Sequence, residues 1–172
     1  MVGVVVVVDM QNGVLALPRH QVAHCIDQIN ALTAAAEQTI FIQHSEGEMV
    51  PGSTAFALAP GIHQPDNALY VTKTACDAFW QTALAQVLAG IGQRAFIICG
   101  CATDYCLDTT IKVGASLGYR ITVAADAHTT ADREAVSGAA LIAHHNQVWA
   151  TLTLPGNPVQ VKPVAVIMAA NR

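Results

Sequence analysis

Residues 2 to 8, VGVVVVV, are apolar at every position, and the run stops at Asp9. A strand with one face in water alternates apolar and polar residues, so an unbroken β-branched run predicts a central strand covered on both faces. Pro18 suits the opening of a helix, and the segment QVAHCIDQINALTAAAEQ behind it places Val22, Ile26, Ile29 and Leu32 at helical spacing. TIFIQH at 39–44 then reads as a second strand and ALYVT at 68–72 as a third. Between them runs a polar, Pro- and Gly-bearing excursion from Ser45 to Asn67. It is longer than ordinary connections, and long loops often serve as lids or binding loops.

The same alternation continues to the end of the chain. Residues 77–89 read as helical, RAFIICG at 94–100 as a strand, and DYCLDTTIKVGASLG at 104–118 as a helix closed by Gly118. YRITVAAD at 119–126 predicts a further strand, DREAVSGAALIAHHNQVWATL at 132–152 a helix, and VQVKPVAVIMA at 159–169 carries the last strand. Strands separated by helices predict an α/β fold: a three-layer αβα arrangement around a mostly parallel sheet of five or six strands. At 172 residues, one domain over 1–172 is expected.

Composition sharpens this picture. Hydrophobic residues make up 53% of the chain and charged residues 12%, so large apolar surfaces must be buried. Part of that burial is expected between subunits of a homo-oligomer, a dimer or tetramer. The net charge is −4, and the eight Lys and Arg are scattered singly, which argues against nucleic acid as a partner. The apolar start lacks a cationic flank and is cut at Asp9, so neither an export segment nor a membrane span is expected. Five cysteines, at 25, 76, 99, 101 and 106, are odd in number and lack the CxxC pairing of zinc sites. Reduced thiols in a cytoplasmic protein fit that pattern.

Ligands of open α/β sheets bind beyond the carboxyl ends of the strands. There the pattern places Asp9 after the first strand, His44 at the end of the second, Lys73 after ALYVT and Cys106 just past AFIICG. Each has an ordinary alternative: a turn-capping Asp, a solvated Lys, a core-filling Cys. Thr103 fits a helix N-cap, which would put Cys106 in a first turn where the dipole and a nearby ammonium favour thiolate. Asp9 within reach would then take and return the thiol proton. Cys99 and Cys101 have neither advantage.

VVVDMQNG, YVTKTACDAF and IICGCATDYCLDTTIKVGASLGYRITVAADAHTT, in that order, resemble the isochorismatase-like cysteine hydrolases. The resemblance runs from Val4 to about His145. It implies Asp9 as general base, Lys73 as the catalytic lysine and Cys106 as nucleophile. It also implies a cis peptide between Cys101 and Ala102, with the N–H groups of Ala102 and Cys106 as an oxyanion hole. The implied chemistry is hydrolysis of a carbon–nitrogen bond in a small amide or carbamoyl substrate through a thioester, with no cofactor. His44 stands without the Asp-x-His pairing of metal-dependent nicotinamidases, so that alternative is disfavoured and no metal is assigned. His44, Phe79, Trp80 and Tyr105 are expected at the substrate pocket, with Lys73 as its only clear basic residue. Packing of Phe79 and Trp80 against the sheet and a strand-capping His44 are the ordinary alternatives, and His128 is expected either at the rim or stabilising a loop. Two other readings compete: a redox-sensing role for Cys101 and Cys106, and a non-catalytic protein on the same fold. A nucleotide binder finds no GxGxxG or P-loop.

Overall fold

A computed structural model describes residues 1–171. The valine run forms β1 (Val2–Val8), which pairs in parallel with β2 (Ala36–His44) on one side and β4 (Ala95–Cys101) on the other. Outward, β3 (Leu69–Lys73) extends β2, while β5 (Arg120–Thr129) and β6 (Gln160–Lys162) extend β4. The six-stranded order is β3-β2-β1-β4-β5-β6, with every pairing parallel. Chain direction across the sheet reverses between β1 and β4, the switch point where such sheets open a crevice beyond their strand ends.

Period-two alternation sends the valines to two cores. Val4, Val6 and Val8 pack with Leu84 and Leu88 of α3 (Leu84–Gly90), Ile111 of α4 (Asp108–Ser116) and Trp149 of α5 (Gly138–Ala150). Val5 and Val7 face Cys25, Ile29 and Leu32 of α2 (Val22–Ala35) and Ile167 of α6 (Val164–Ala169). A fully buried aliphatic side chain contributes about 1.5–3 kcal/mol, so this one strand anchors both helical layers. A single turn of helix, α1 (Asn12–Leu15), follows β1. No helix among the described residues is long and apolar enough to cross a membrane.

Several boundaries differ from the sequence expectation, each for a local reason. Ala36, Glu37 and Gln38 extend β2 instead of the preceding helix, because Ala36 and Gln38 pair with Val2 and Val4. Pro18 does not open α2, which starts at Val22 after Gln21 in a left-handed conformation. The helix expected at 77–89 begins only at Leu84 and runs to Gly90. Helix α5 begins at Gly138, not at Asp132: Ser137 accepts the Ala140 N–H, and Asp132 accepts that of Gly138, so residues 132–137 stay a loop. Pro163 stops β6 after three residues, and the apolar remainder becomes α6.

The excursion at 45–67 is stitched to the chain after β1. Gln11, fully buried, donates to the His44 and Phe56 carbonyls and accepts the His44 N–H at 2.7 Å. Asn12 donates to Thr54, and Gly13 N–H to Ala55. The loop is thereby held over the strand ends.

Gly100 is the tightest point of the sheet. Its φ is +117°, and a Cβ there would lie 2.7 Å from the Val8 backbone nitrogen and closer still to the Val8 carbonyl. Gly100→Ala is expected to lower unfolding free energy by at least about 3 kcal/mol in denaturant titrations. Gly3→Ala, whose Cβ meets nothing within 4 Å, is expected to stay within about 0.5 kcal/mol of the parent. Equal stability of the two variants would contradict this packing.

Candidate active site

Beyond the carboxyl ends of β1, β2 and β3, three polar side chains converge. Asp9 leaves β1 with φ +52°, a left-handed conformation unusual for a non-glycine residue, and its N–H is tied to the Ile42 carbonyl at 2.9 Å. Its Oδ2 lies 2.9 Å from Nζ of Lys73, and the two side chains are 3% and 0% exposed. The same ammonium donates to the Ala75 carbonyl at 2.9 Å, contacts Nδ1 of His44 at 2.8 Å and reaches Sγ of Cys106 at 3.3 Å. Three ammonium protons thus face four acceptors, and the long contact to sulfur competes with the rest. An ammonium only donates, so His44 Nδ1 is the bare nitrogen and its Nε2–H donates to Glu46 at 3.2 Å.

Cys106 arrives from the other side of the switch point. Strand β4 ends at Cys101, the Cys101–Ala102 peptide is cis, and Thr103–Leu107 forms a π-helical turn that runs into α4. The amides of Tyr105 and Leu107, on either side of Cys106, both donate to the Ala102 carbonyl at 3.1 Å. Thr103 is not an N-cap: Ala102 holds that position, and the Thr103 hydroxyl instead lies 2.8 Å from Nδ1 of His128. Cys106 therefore sits in a π turn, a rare feature often found at functional sites, instead of the first turn of an α-helix.

The electrostatics correct the expectation of a resting thiolate. Burial pushes the Cys106 thiol up, the Asp9 carboxylate pushes it further, and Lys73 only partly offsets them. Burial also lifts the Asp9 carboxyl above its ordinary range, against the pull of Lys73. Burial alone would lower Lys73, but Asp9 and Cys106 outweigh it and hold the ammonium charged. The shifts thus favour the thiol form of Cys106, a carboxyl more basic than usual at Asp9 and the ammonium form of Lys73. Oδ1 of Asp9 is buried without a hydrogen-bond partner, leaving one acceptor position open.

Asp9 and Cys106 line a cavity of about 440 Å³ that also includes Ala102, His44 and Tyr105, while Lys73 is buried beneath them. Phe79 and Trp80 are not part of its wall, contrary to expectation. Phe79 stacks on Tyr119 at 5.1 Å within the core, against Gly114, and Trp80 is 58% exposed elsewhere on the surface. His128 is buried behind the Thr103–Leu107 turn, so it takes the loop-stabilising place and not the rim. Lys73, expected as the pocket's basic residue, does not line the cavity, whereas Arg19 and Arg133 both do. Arg133 forms two bonds to Asp104, at 2.8 and 3.0 Å, and lies 4.7 Å over the Tyr105 ring. Those bonds, with one from Thr130, outweigh burial and hold the Asp104 carboxyl low. Arg19 donates through Nε and Nη2 to the Val14 carbonyl. Both arginines come from loops, where no periodicity announces them.

A conserved-family model, the Isochorismatase domain, matches residues 3–153. The chain belongs to the isochorismatase family. It is similar to a streptothricin hydrolase of Streptomyces noursei, 29% identical over 137 residues that cover 73% of this chain and 49% of that protein. A second streptothricin hydrolase of the same organism is 29% identical over 143 residues, 77% of this chain and 56% of its own length. The chain thus spans about half the length of these curated relatives. A solved isochorismatase family protein superposes with TM-score 0.85 at 26% identity, covering 93% of this chain and 97% of that one. The fold is shared with a cysteine hydrolase from Pseudomonas syringae pv. phaseolicola, with TM-score 0.85, 22% identity and coverage of 98% and 92%. It is also shared with an N-carbamoylsarcosine amidase from Thermoplasma acidophilum, with TM-score 0.76, 17% identity and coverage of 95% and 97%.

The Asp9 charge raises the Cys106 thiol, so removing it has a definite sign. Asp9→Asn is expected to lower the thiol pKa of Cys106, read from thiolate ultraviolet absorbance against pH with Cys106→Ala subtracted. An unchanged or higher midpoint would show that Asp9 does not face the thiol.

Proposed function

We propose that this isochorismatase-family hydrolase cleaves a carbon–nitrogen bond of a small amide or carbamoyl compound through a thioester on Cys106. The observation that carries the reading is the buried Lys73 ammonium, in contact at once with the Asp9 carboxylate and the Cys106 sulfur. A lysine serving only the fold has no need of a thiol partner beside an open cavity.

In this reading, Sγ of Cys106 attacks the carbonyl carbon while its proton passes to Asp9. The raised basicity of that carboxyl suits it to accept the proton. The N–H groups of Ala102 and Cys106 serve as the oxyanion hole. As the carbon–nitrogen bond breaks, Asp9 returns the proton to the departing nitrogen, and ammonia or an amine leaves a thioester behind. Water then attacks the thioester, giving one proton to Asp9, from which the leaving sulfur recovers it. Lys73 stays an ammonium throughout and balances the negative charge as it moves from carboxylate to oxyanion. His44 and Tyr105 border the substrate. The relatives that carry named activities, a hydrolase and an amidase, agree with hydrolytic cleavage.

A redox pair of Cys101 and Cys106 is less well supported. Cys101 is fully buried, and burial pushes its thiol up to about 12, a poor nucleophile for disulfide exchange. His44 is engaged at both ring nitrogens, by Lys73 and by Glu46, which leaves it no nitrogen for a nicotinamidase-type metal.

Ammonia release from a panel of primary amides and N-carbamoyl compounds tests the reading. Wild type is expected to turn over at least one of them, and Cys106→Ala to lose roughly 10³-fold or more of that rate. Undiminished turnover by Cys106→Ala would refute the thioester route.

A further inference from the structure

The nucleophile turn is held from behind at both ends by one helix. At its start, the Thr103 hydroxyl lies 2.8 Å from Nδ1 of His128, and Nε2 of His128 lies 2.9 Å from Oδ1 of Asn146 in α5. Just past its end, Asp108 accepts the indole N–H of Trp149, also in α5, at 2.9 Å. Asn146 and Trp149 are three residues apart and share a helix face. The His128 ring meets Trp149 edge-on at 5.2 Å. Thr103 and Trp149 are fully buried, and His128 is 3% exposed.

The hydrogen-bond polarity of this chain is determined. Asn146 uses its amide nitrogen on the Ala125 carbonyl at 3.0 Å, so the oxygen facing His128 is an acceptor. Nε2 of His128 therefore carries the proton, Nδ1 is bare, and Thr103 donates to it. Burial keeps the imidazole neutral, with its pKa lowered to about 4. Asn146 and Asp126 act against that lowering and His145 adds to it, while Thr103 and Trp149 complete its surroundings.

A π turn needs this support. Its Tyr105 and Leu107 amides bond the Ala102 carbonyl and the Asp108 amide those of Thr103 and Tyr105, which shapes the turn but does not anchor it against Asp9 and Lys73. Misplacement of a reacting atom by 1 Å can cost about 100-fold in rate. We propose that His128, with Asn146 and Trp149, is the positioning brace of the nucleophile turn, setting Cys106 against Asp9 and Lys73 from outside the cavity. The inference rests on Cys106 being the nucleophile. None of the three touches substrate; they act through Thr103 and Asp108.

The test uses alkylation of Cys106 by limiting iodoacetamide, read by mass spectrometry, with thermal stability recorded alongside. Labelling of wild-type Cys106, read against the exposed Cys76 as internal reference, comes first, and retained amide turnover by Cys106→Ala sinks the nucleophile reading itself and leaves no brace to test. Given that labelling, Thr103→Val and His128→Leu, which remove the donor and the acceptor, are expected to slow it roughly tenfold. His128→Asn, whose Oδ1 reproduces the Nδ1 acceptor, is expected to restore most of the rate. A purely structural role would lower the melting temperature of the variants but leave labelling of the folded protein within twofold of wild type, and that result overturns the proposal.

Should those variants fail to fold, Asn146→Asp decides. A carboxylate at that position favours the His128 imidazolium, which forces Thr103 to accept and strands its own proton in a buried site. Labelling in Asn146→Asp is then expected to show an additional acid-side loss, beyond the titration of the thiol itself that wild type also shows. A pH profile that overlays the wild-type profile would overturn the brace.

Discussion

A lysine ammonium with no exposed surface governs this molecule. Taking such a charge out of water costs several kcal/mol unless partners replace its hydration, and Lys73 finds them on four separate segments. Asp9 comes from the end of β1, His44 from the end of β2, the Ala75 carbonyl from the loop after β3, and Cys106 from the turn after β4. The order β3-β2-β1-β4 brings those four ends side by side. Misregister of any of these strands would leave a buried charge unmatched, at a cost of about 3–5 kcal/mol. The group that makes the site chemical thus also makes the strand order specific.

Burial and the Asp9 carboxylate outweigh the pull of that ammonium toward thiolate. A thiolate here would sit half-buried beside the Asp9 carboxylate, and one ammonium cannot neutralise both. Both shifts favour a sulfur that keeps its proton beside a carboxyl of raised basicity. In the proposed mechanism, nucleophile and base are then generated in one step, and only when a carbonyl carbon is present to take the electron pair. The neutral His44 passes a hydrogen bond from the buried ammonium outward to Glu46, linking the interior pair to solvent.

Much of this was legible in the chain. VGVVVVV could only be a doubly covered strand, and the polar residues interrupting each apolar run marked the sheet edge where Asp9, His44, Lys73 and Cys106 meet. What escaped was everything set by tertiary contact. Ser137 and Asp132 unwind the start of what the pattern predicts as a longer helix, and that loop carries Arg133 to the cavity. Phe79 lay next to a catalytic motif, yet the chain turns at 77–83 and drops its ring into the core. Gln11 reads as an ordinary polar residue of a turn, although its side chain ties the 45–67 excursion to β2. The helix-dipole argument for Cys106 failed because it priced a local field without the burial and neighbouring carboxylate that only the folded sheet supplies.

The central claim is where the proton rests before substrate arrives. Infrared difference spectra between wild type and Cys106→Ser at neutral pH measure it directly. The account predicts an S–H stretching band belonging to Cys106 and no band from a protonated Asp9 carboxyl. Absence of the S–H band together with a carboxylic acid band lost in Asp9→Asn would place the proton on Asp9 at rest, and the account would be wrong.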